Sequence, residues 1–441
     1  MTVSFQKLRY KNFSNWSVAH LLANQFNYNE DFKLERIGNF LLRNKTQITV
    51  DDTTVYKRVT IRLYNKGIKL RDTEIGQKIG TKKQFIIKQG QFLMSKIDAR
   101  NGAFGIATEE VDGAIITADF FAYDIDETKI LPQFLVLLTT TKQFQRFAQS
   151  ASSGTTGRQR MDEKKFVDVK IPLPSIKKQE EILNAYNERI NTISQKKNQI
   201  QSKEKAIDEY MLSTLDVHHS SVSETSLLNF LRLSDLKNWS VKDLKSSTQI
   251  KSKKYGIETL SKVVLGKPQY GSNSKAVNKI TDVRYIRITD INENGTLNDK
   301  IVSSAKVNPN YLLNQDDFLI ARSGTVGLTF LFDESMGKAI YAGYLIRFIL
   351  NKDLILPKYL FYYTKSSFYK SWVDSTKRVT GVPNINAQEY LSSPLVLPSI
   401  NIQKEIVEFI DKIKSEINML SLEIQENVVY AKEEFENHIF N

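Results

Sequence analysis

Two stretches decide how this 441-residue chain is organised: Leu173-Pro174-Ser175-Ile176 followed by Gln179 and Glu181-Ile182, and Leu397-Pro398-Ser399-Ile400 followed by Gln403 and Glu405-Ile406. They are one motif, met twice at an offset of 224. Working outward from them, Asn15-Trp16-Ser17-Val18 recurs as Asn238-Trp239-Ser240-Val241, and Gly102 and Gly105 pair with Gly324 and Gly327. Ala114-Ile115 pairs with Ala339-Ile340, Leu131-Pro132 with Leu356-Pro357, and Gly157 with Gly381. Matches that stay collinear at a nearly constant offset mean an internal duplication, in which each half is one structural unit. Residues 19–100 and 242–322 share little, so two copies of one scaffold carry different variable segments.

After each Leu-Pro-Ser the pattern turns helical, with Ser175 and Ser399 placed as capping residues. From Lys177 to Thr214, Leu183, Tyr186, Ile190, Ile193, Ile200, Ile207 and Met211 fall at heptad spacing, with Lys197 and Glu204 filling the remaining seam positions. Over 401–438, Ile406, Ile410, Ile413, Ile417, Leu420, Ile424, Val428, Ala431 and Phe435 do the same. Rods of ~57 Å, at ~1.5 Å per residue, exceed what one small domain needs. Short β-type runs such as 58–63 and 284–289 alternate with Gly and Asn turns, and apolar helical stretches follow at about 131–147 and 356–373. The expected class is α+β: two repeated strand-rich domains, 1–174 and 223–398, separated by two long helices forming an antiparallel coiled coil. The central helix and linker take 175–222 and the C-terminal helix 399–441.

Composition removes several function classes. There are no cysteines, and the four histidines, His20, His218, His219 and His438, lack ligand spacing, so a structural metal is not expected. No stretch has the length and apolarity of a membrane span and Met1 to Tyr10 lack a signal-peptide core, which leads us to expect a cytoplasmic protein. No phosphate-binding G-x-x-x-x-G-K-[ST] run occurs, and Asn308-Pro309-Asn310-Tyr311 lacks the second proline of a DNA-methyltransferase motif. Paired Pro-Asp and Glu-x-Lys nuclease motifs are also missing, so no catalytic residue, cofactor site or metal site is assigned to this chain.

The net charge of +13 is unevenly spread. Residues 1–170 hold 27 basic and 18 acidic side chains, 171–222 seven of each, 223–400 24 and 15, and 401–441 four and nine. Both expected domains are therefore basic, and the C-terminal helix is acidic. Cations contribute phosphate affinity through counterion release, while Arg, Asn, Gln and Ser can read base edges. The candidate DNA-binding residues are Lys57, Arg58, Arg62, Lys66, Lys96, Arg100, Arg158 and Arg160 in the first half. In the second they are Lys267, Gln269, Tyr270, Ser272, Asn273, Lys275, Arg287, Arg322, Ser323, Lys377, Arg378 and Asn384. The segment 266–275 is read as a loop suited to entering a groove.

With its duplicated Trp-Ser-Val entry, the segment Ile320-Ala321-Arg322-Ser323-Gly324-Thr325-Val326-Gly327, Gly381 to Ile385, and both helix openings, the chain resembles specificity subunits of type I restriction-modification systems over nearly its whole length. The first half departs from the pattern at 95–102 and at 156–161, which leaves Arg100 and Arg160 as the looser matches to Arg322 and Asn384. The resemblance implies a non-catalytic subunit whose two target-recognition domains read the halves of an asymmetric, interrupted site in double-stranded DNA. The helices would set the gap. It implies two DNA adenine methyltransferase subunits that bind S-adenosylmethionine, and restriction subunits that use ATP with magnesium to translocate DNA. The competing reading from the residues is a non-DNA adaptor whose duplicated domains hold two protein partners.

Overall fold

The computed structural model describes residues 31–153, 160–218, 250–277, 281–378 and 381–440; the Trp16 and Trp239 landmarks and Arg158 lie outside them. The chain forms two compact units, 1–196 with 422–441 and 197–421.

In the first unit a four-stranded antiparallel sheet runs in the order Leu41–Arg43, Phe120–Ile125, Phe92–Ser95, Phe104–Ile106. A five-stranded sheet orders Gln47–Thr49, Lys83–Ile86, Ile115–Ile116, Val55–Ile61 and Ile68–Ile75, with a parallel contact between Arg58 and Ile115. Three short helices, α1 (Pro132–Thr139), α2 (Lys142–Ser150) and α3 (Glu163–Asp168), precede the long α4 (Ile176–Thr214). The core is aromatic, with Phe40, Phe92, Phe104, Tyr123, Phe134 and Phe166 fully buried.

The second unit repeats the plan. Its four-stranded antiparallel sheet runs Val264–Tyr270, Leu345–Leu350, Phe318–Ala321, Thr329–Leu331, the same order on equivalent strands. A second sheet of short strands again has one parallel pair, Arg284–Ile286 beside Ala339–Tyr341. Helices α5 (Pro357–Tyr363), α6 (Ser367–Thr376) and α7 (Ala387–Leu391) lead to α8 (Ile400–Phe440). Each helical stretch expected as continuous is instead two helices. Thr141 and Ser366 act as fresh N-caps: the Thr141 hydroxyl accepts from the Phe144 amide at 3.2 Å, and that of Ser366 from the Tyr369 amide at 3.4 Å. The run 284–289 is also shorter than a strand throughout, because Asp290 closes a turn of 3-10 helix at Ile288–Asp290 by binding Arg287.

The motif that opens α4 and α8 has a definite physical content. Gln179 is fully buried; its amide donates to the Lys129 and Pro174 carbonyls at 2.9 Å each, and its oxygen accepts from the Leu131 amide at 2.9 Å. Gln403 does the same with the carbonyls of Leu354 and Pro398 and the amide of Leu356, at 3.0, 2.9 and 2.8 Å. Each glutamine fastens a long helix to the chain entering an earlier short helix, α1 for Gln179 and α5 for Gln403.

Both long helices contribute to both cores. The start of α4 (Ile182, Leu183) and the end of α8 (Phe435, Ile439) pack into the first unit's core; the start of α8 (Ile406, Ile410), the end of α4 (Met211) and Leu215 just after it pack into the second's. Within the first unit the helices pair antiparallel through Arg189–Glu434 and Lys196–Glu423, and within the second through Lys203–Glu416 and the stacked rings of Tyr210 and Phe409. Lys197 and Glu204, expected on the seam, are exposed, and Lys196 and Lys203 cross it instead. A straight α-helix drifts ~20° per heptad against a seven-residue repeat, so a strict heptad register does not hold along the whole rod.

Among the described residues no helix is long and apolar enough to cross a membrane, and no group of three or more His, Asp or Glu could hold a metal ion.

Candidate nucleic-acid interface

In the second unit the site grows from the end of the buried strand Phe318–Ala321. Arg322, the next residue, donates its amide to the Tyr344 carbonyl and accepts from the Ile385 amide, both at 2.9 Å. Its guanidinium lies 4.8 Å from the centre of the Tyr270 ring, and the Tyr270 hydroxyl accepts from the Ala387 amide at 3.3 Å. Ser323 forms a bridge with Asn384, which also bridges Arg378. Tyr390 holds the 321–327 turn from beneath, accepting from the Gly327 amide and donating to the Ala321 carbonyl. At Gly271 a Cβ would overlap the Ala342 carbonyl, and Gly343 donates its amide to Ser272 at 2.9 Å. Ser272 is itself buried, its hydroxyl accepting from the Ser274 amide, so of this pair only Asn273 is exposed. The exposed Tyr344 and Val382, which sequence reasoning passed over, lie in the same segments.

The first unit builds a matching position from different residues. Lys96 donates its amide to the Asp119 carbonyl at 2.9 Å and accepts from the Met161 amide at 2.8 Å, the same backbone pattern as Arg322. Lys96, and not Arg100, therefore stands where Arg322 stands. Arg100 lies on the following turn of 3-10 helix, Ala99–Asn101. The Lys96 ammonium is 4.3 Å from the Phe121 ring centre, and Arg43 is 4.4 Å from the same centre. Burial, and then Arg43, lower the Lys96 pKa from the usual lysine range. Arg43 was not anticipated; its guanidinium is tied to the Ala122 carbonyl at 3.0 Å and to Glu163 at 3.2 Å. Arg160, preceding Met161, pairs with Asp119 at 3.2 Å, the equivalent of Asn384 beside Ile385.

A cation held over a ring presents its outer N–H groups to solvent, able to donate to a phosphate or to the acceptor edge of a base. The other candidates divide by how their polar groups are used. Arg58 binds Asp72 in bidentate fashion at 2.6 and 2.8 Å, and this pair raises the arginine pKa and lowers that of the aspartate. Arg287 is similarly held by the buried Asp290. Gln269 is occupied inside the fold by Arg347, Tyr341 and the Asn310 carbonyl. Lys57 reaches the Asp112 carbonyl, Lys377 pairs with Asp374, and Arg378 with Glu389 at 2.8 Å. Arg62, Lys66, Lys267 and Lys275 are exposed. The segment 266–275 is only partly a loop: residues through Tyr270 form an edge strand with an irregularity between Leu265 and Gln269, so Lys267 projects from a sheet.

A family model described as "Type I restriction modification DNA specificity domain" matches this sequence twice, over residues 28–202 and 236–428. This chain belongs to that family. The specificity subunit is 22% identical over 418 residues to the type I restriction enzyme MjaVIII specificity subunit of Methanocaldococcus jannaschii, covering 90% of this chain and 88% of the relative. It shares its fold, with a TM-score of 0.60 at 13% identity, with a chain from a study of complex assembly and conformational transition of the type I R-M system; the match covers 94% of this chain and 99% of that one. The family assignment agrees with the duplicated architecture: each matched segment contains one copy of the strand-end cation, Lys96 or Arg322.

Proposed function

We propose that each unit of this specificity subunit reads one half of an interrupted double-stranded DNA site, and that α4 and α8, which run from one unit into the other, fix the gap. The observation that carries this reading is the repeated platform of Lys96 over Phe121 and Arg322 over Tyr270 at the same backbone position. A duplicated fold that holds a cation over a ring at the same strand end, with the ring supplied by a different strand in each unit, suits recognition of two different half-sequences. The chain performs no chemistry in this reading. Two DNA adenine methyltransferase subunits dock on the helices and bind S-adenosylmethionine, restriction subunits use ATP with magnesium, and the complex works in the cytoplasm. The near-neutral 171–222 and the acidic 401–441 favour protein docking over DNA contact.

The test is to co-express the chain with its methyltransferase and map methylated adenines across a random DNA library. A two-part motif with a fixed gap is expected. A continuous motif, or methylation without sequence preference, would discard the reading.

A further inference from the structure

The first unit's variable segment carries a long hairpin, Val55–Ile61 with Ile68–Ile75, where the second unit's described residues hold only short strands. At its tip the Arg62 amide donates to the Gly67 carbonyl at 2.9 Å. Tyr64 and Asn65 between them are both left-handed, with φ of 59° and 55°. Asparagine tolerates that backbone; a tyrosine is strained in it. The strain is held by the neighbouring loop, since the Tyr64 and Asn65 amides donate to the Asn101 and Gly102 carbonyls at 2.8 Å each. Gly102 lies so close that a Cβ there would overlap the Asn65 side-chain oxygen. Tyr64 is nonetheless 75% exposed. The turn would be better served by Asn or Gly at position 64, so packing does not account for the ring. Arg62, Lys66 and Lys69 are exposed around it, and among the described residues no acid pairs with them.

We propose that Tyr64 is a stacking wedge, which enters a base step of the half-site read by the first unit while Arg62, Lys66 and Lys69 neutralise the flanking phosphates. The faces of paired bases are hidden in a duplex, so a ring on a braced tip reaches them only by parting one step. Pyrimidine–purine steps unstack most easily and are the preferred target. This inference rests on the reading of the units as DNA readers.

The experiment uses the full chain with its methyltransferase subunits on duplexes bearing the motif found by methylation mapping, with 2-aminopurine placed in turn through each half-site. Tyr64→Phe keeps the ring; Tyr64→Asn keeps and eases the turn while removing it. Apart from the methylated adenines, which a methyltransferase flips out of the duplex whatever stands at position 64, wild type and Tyr64→Phe should brighten one further position, in one half-site. Tyr64→Asn should lose that signal and bind roughly tenfold more weakly, the scale of one base–aromatic stack, with unchanged or improved thermal stability. Equal affinity and an unchanged signal in Tyr64→Asn, or no brightening in wild type beyond the methylated adenines, would overturn the wedge alone. Absence of any two-part motif in the mapping would bring down the DNA reading and the wedge together.

Discussion

At the residue scale the duplicated glutamines tie sequence most directly to stability. Gln179 and Gln403 each satisfy two carbonyls and one amide in a fully buried position, so truncating the side chain orphans three backbone groups at once. Gln403→Ala should therefore lower stability by about 2–3 kcal/mol in urea unfolding, and Gln179→Ala by a similar amount. Losses under about 0.5 kcal/mol would mean that water replaces the amide. The recurrence of Gln at an offset of 224 was plain in the sequence, but its role was not, because two of its three partners, one carbonyl and one amide, lie about 50 residues away in the chain. Lys96 was concealed for the same reason. The landmark glycines suggested Arg100 as the partner of Arg322, and only the shared hydrogen bonds to Asp119 and Tyr344 put Lys96 there.

At the element scale the long helices show how far a periodic pattern can be trusted. Their existence and length were legible: Lys177 to Thr214 became Ile176–Thr214, and 401–438 became Ile400–Phe440. Which charged residues face the partner was not, because one seam position of error moves a side chain by a hundred degrees around the helix. The crossing ion pairs are exposed enough to add little, whereas Ile410 is fully buried in the second unit's core. Lys203→Ala should cost under about 1 kcal/mol and Ile410→Ala about 3 kcal/mol by the same unfolding measurement. A reversed ranking would show that charge, not packing, holds this helix pair. The broken helices near Thr141 and Ser366 carry the same lesson: both capping residues were visible, but an apolar stripe continuing past them masked the restart.

At the scale of the whole molecule, the first compact unit is discontinuous in the chain, 1–196 with 422–441, and the second, 197–421, is continuous; each includes a segment of long helix from the other repeat. If these helices set the gap between half-sites, removing one heptad from each at facing positions shortens the rods by about 10 Å, equivalent to roughly three base pairs. Methylation mapping of that double deletion should return both half-sites unchanged with a gap shorter by about that amount. An unaltered gap would remove the helices from the role of spacer. The sequence by itself determined the duplication, the α+β class, the two long helices and the segregation of basic from acidic blocks, because these follow from repetition, periodicity and composition, which are properties of the linear chain. Only the tertiary structure decided that Arg58, Arg287 and Gln269 are occupied within the fold, that Lys96 and Arg322 are equivalent, and that Tyr64 stands exposed on a strained tip. Except for Arg287, whose partner Asp290 is three residues on, those facts depend on partners distant in sequence, and local pattern alone does not record which polar group a folded chain will bring within hydrogen-bonding distance.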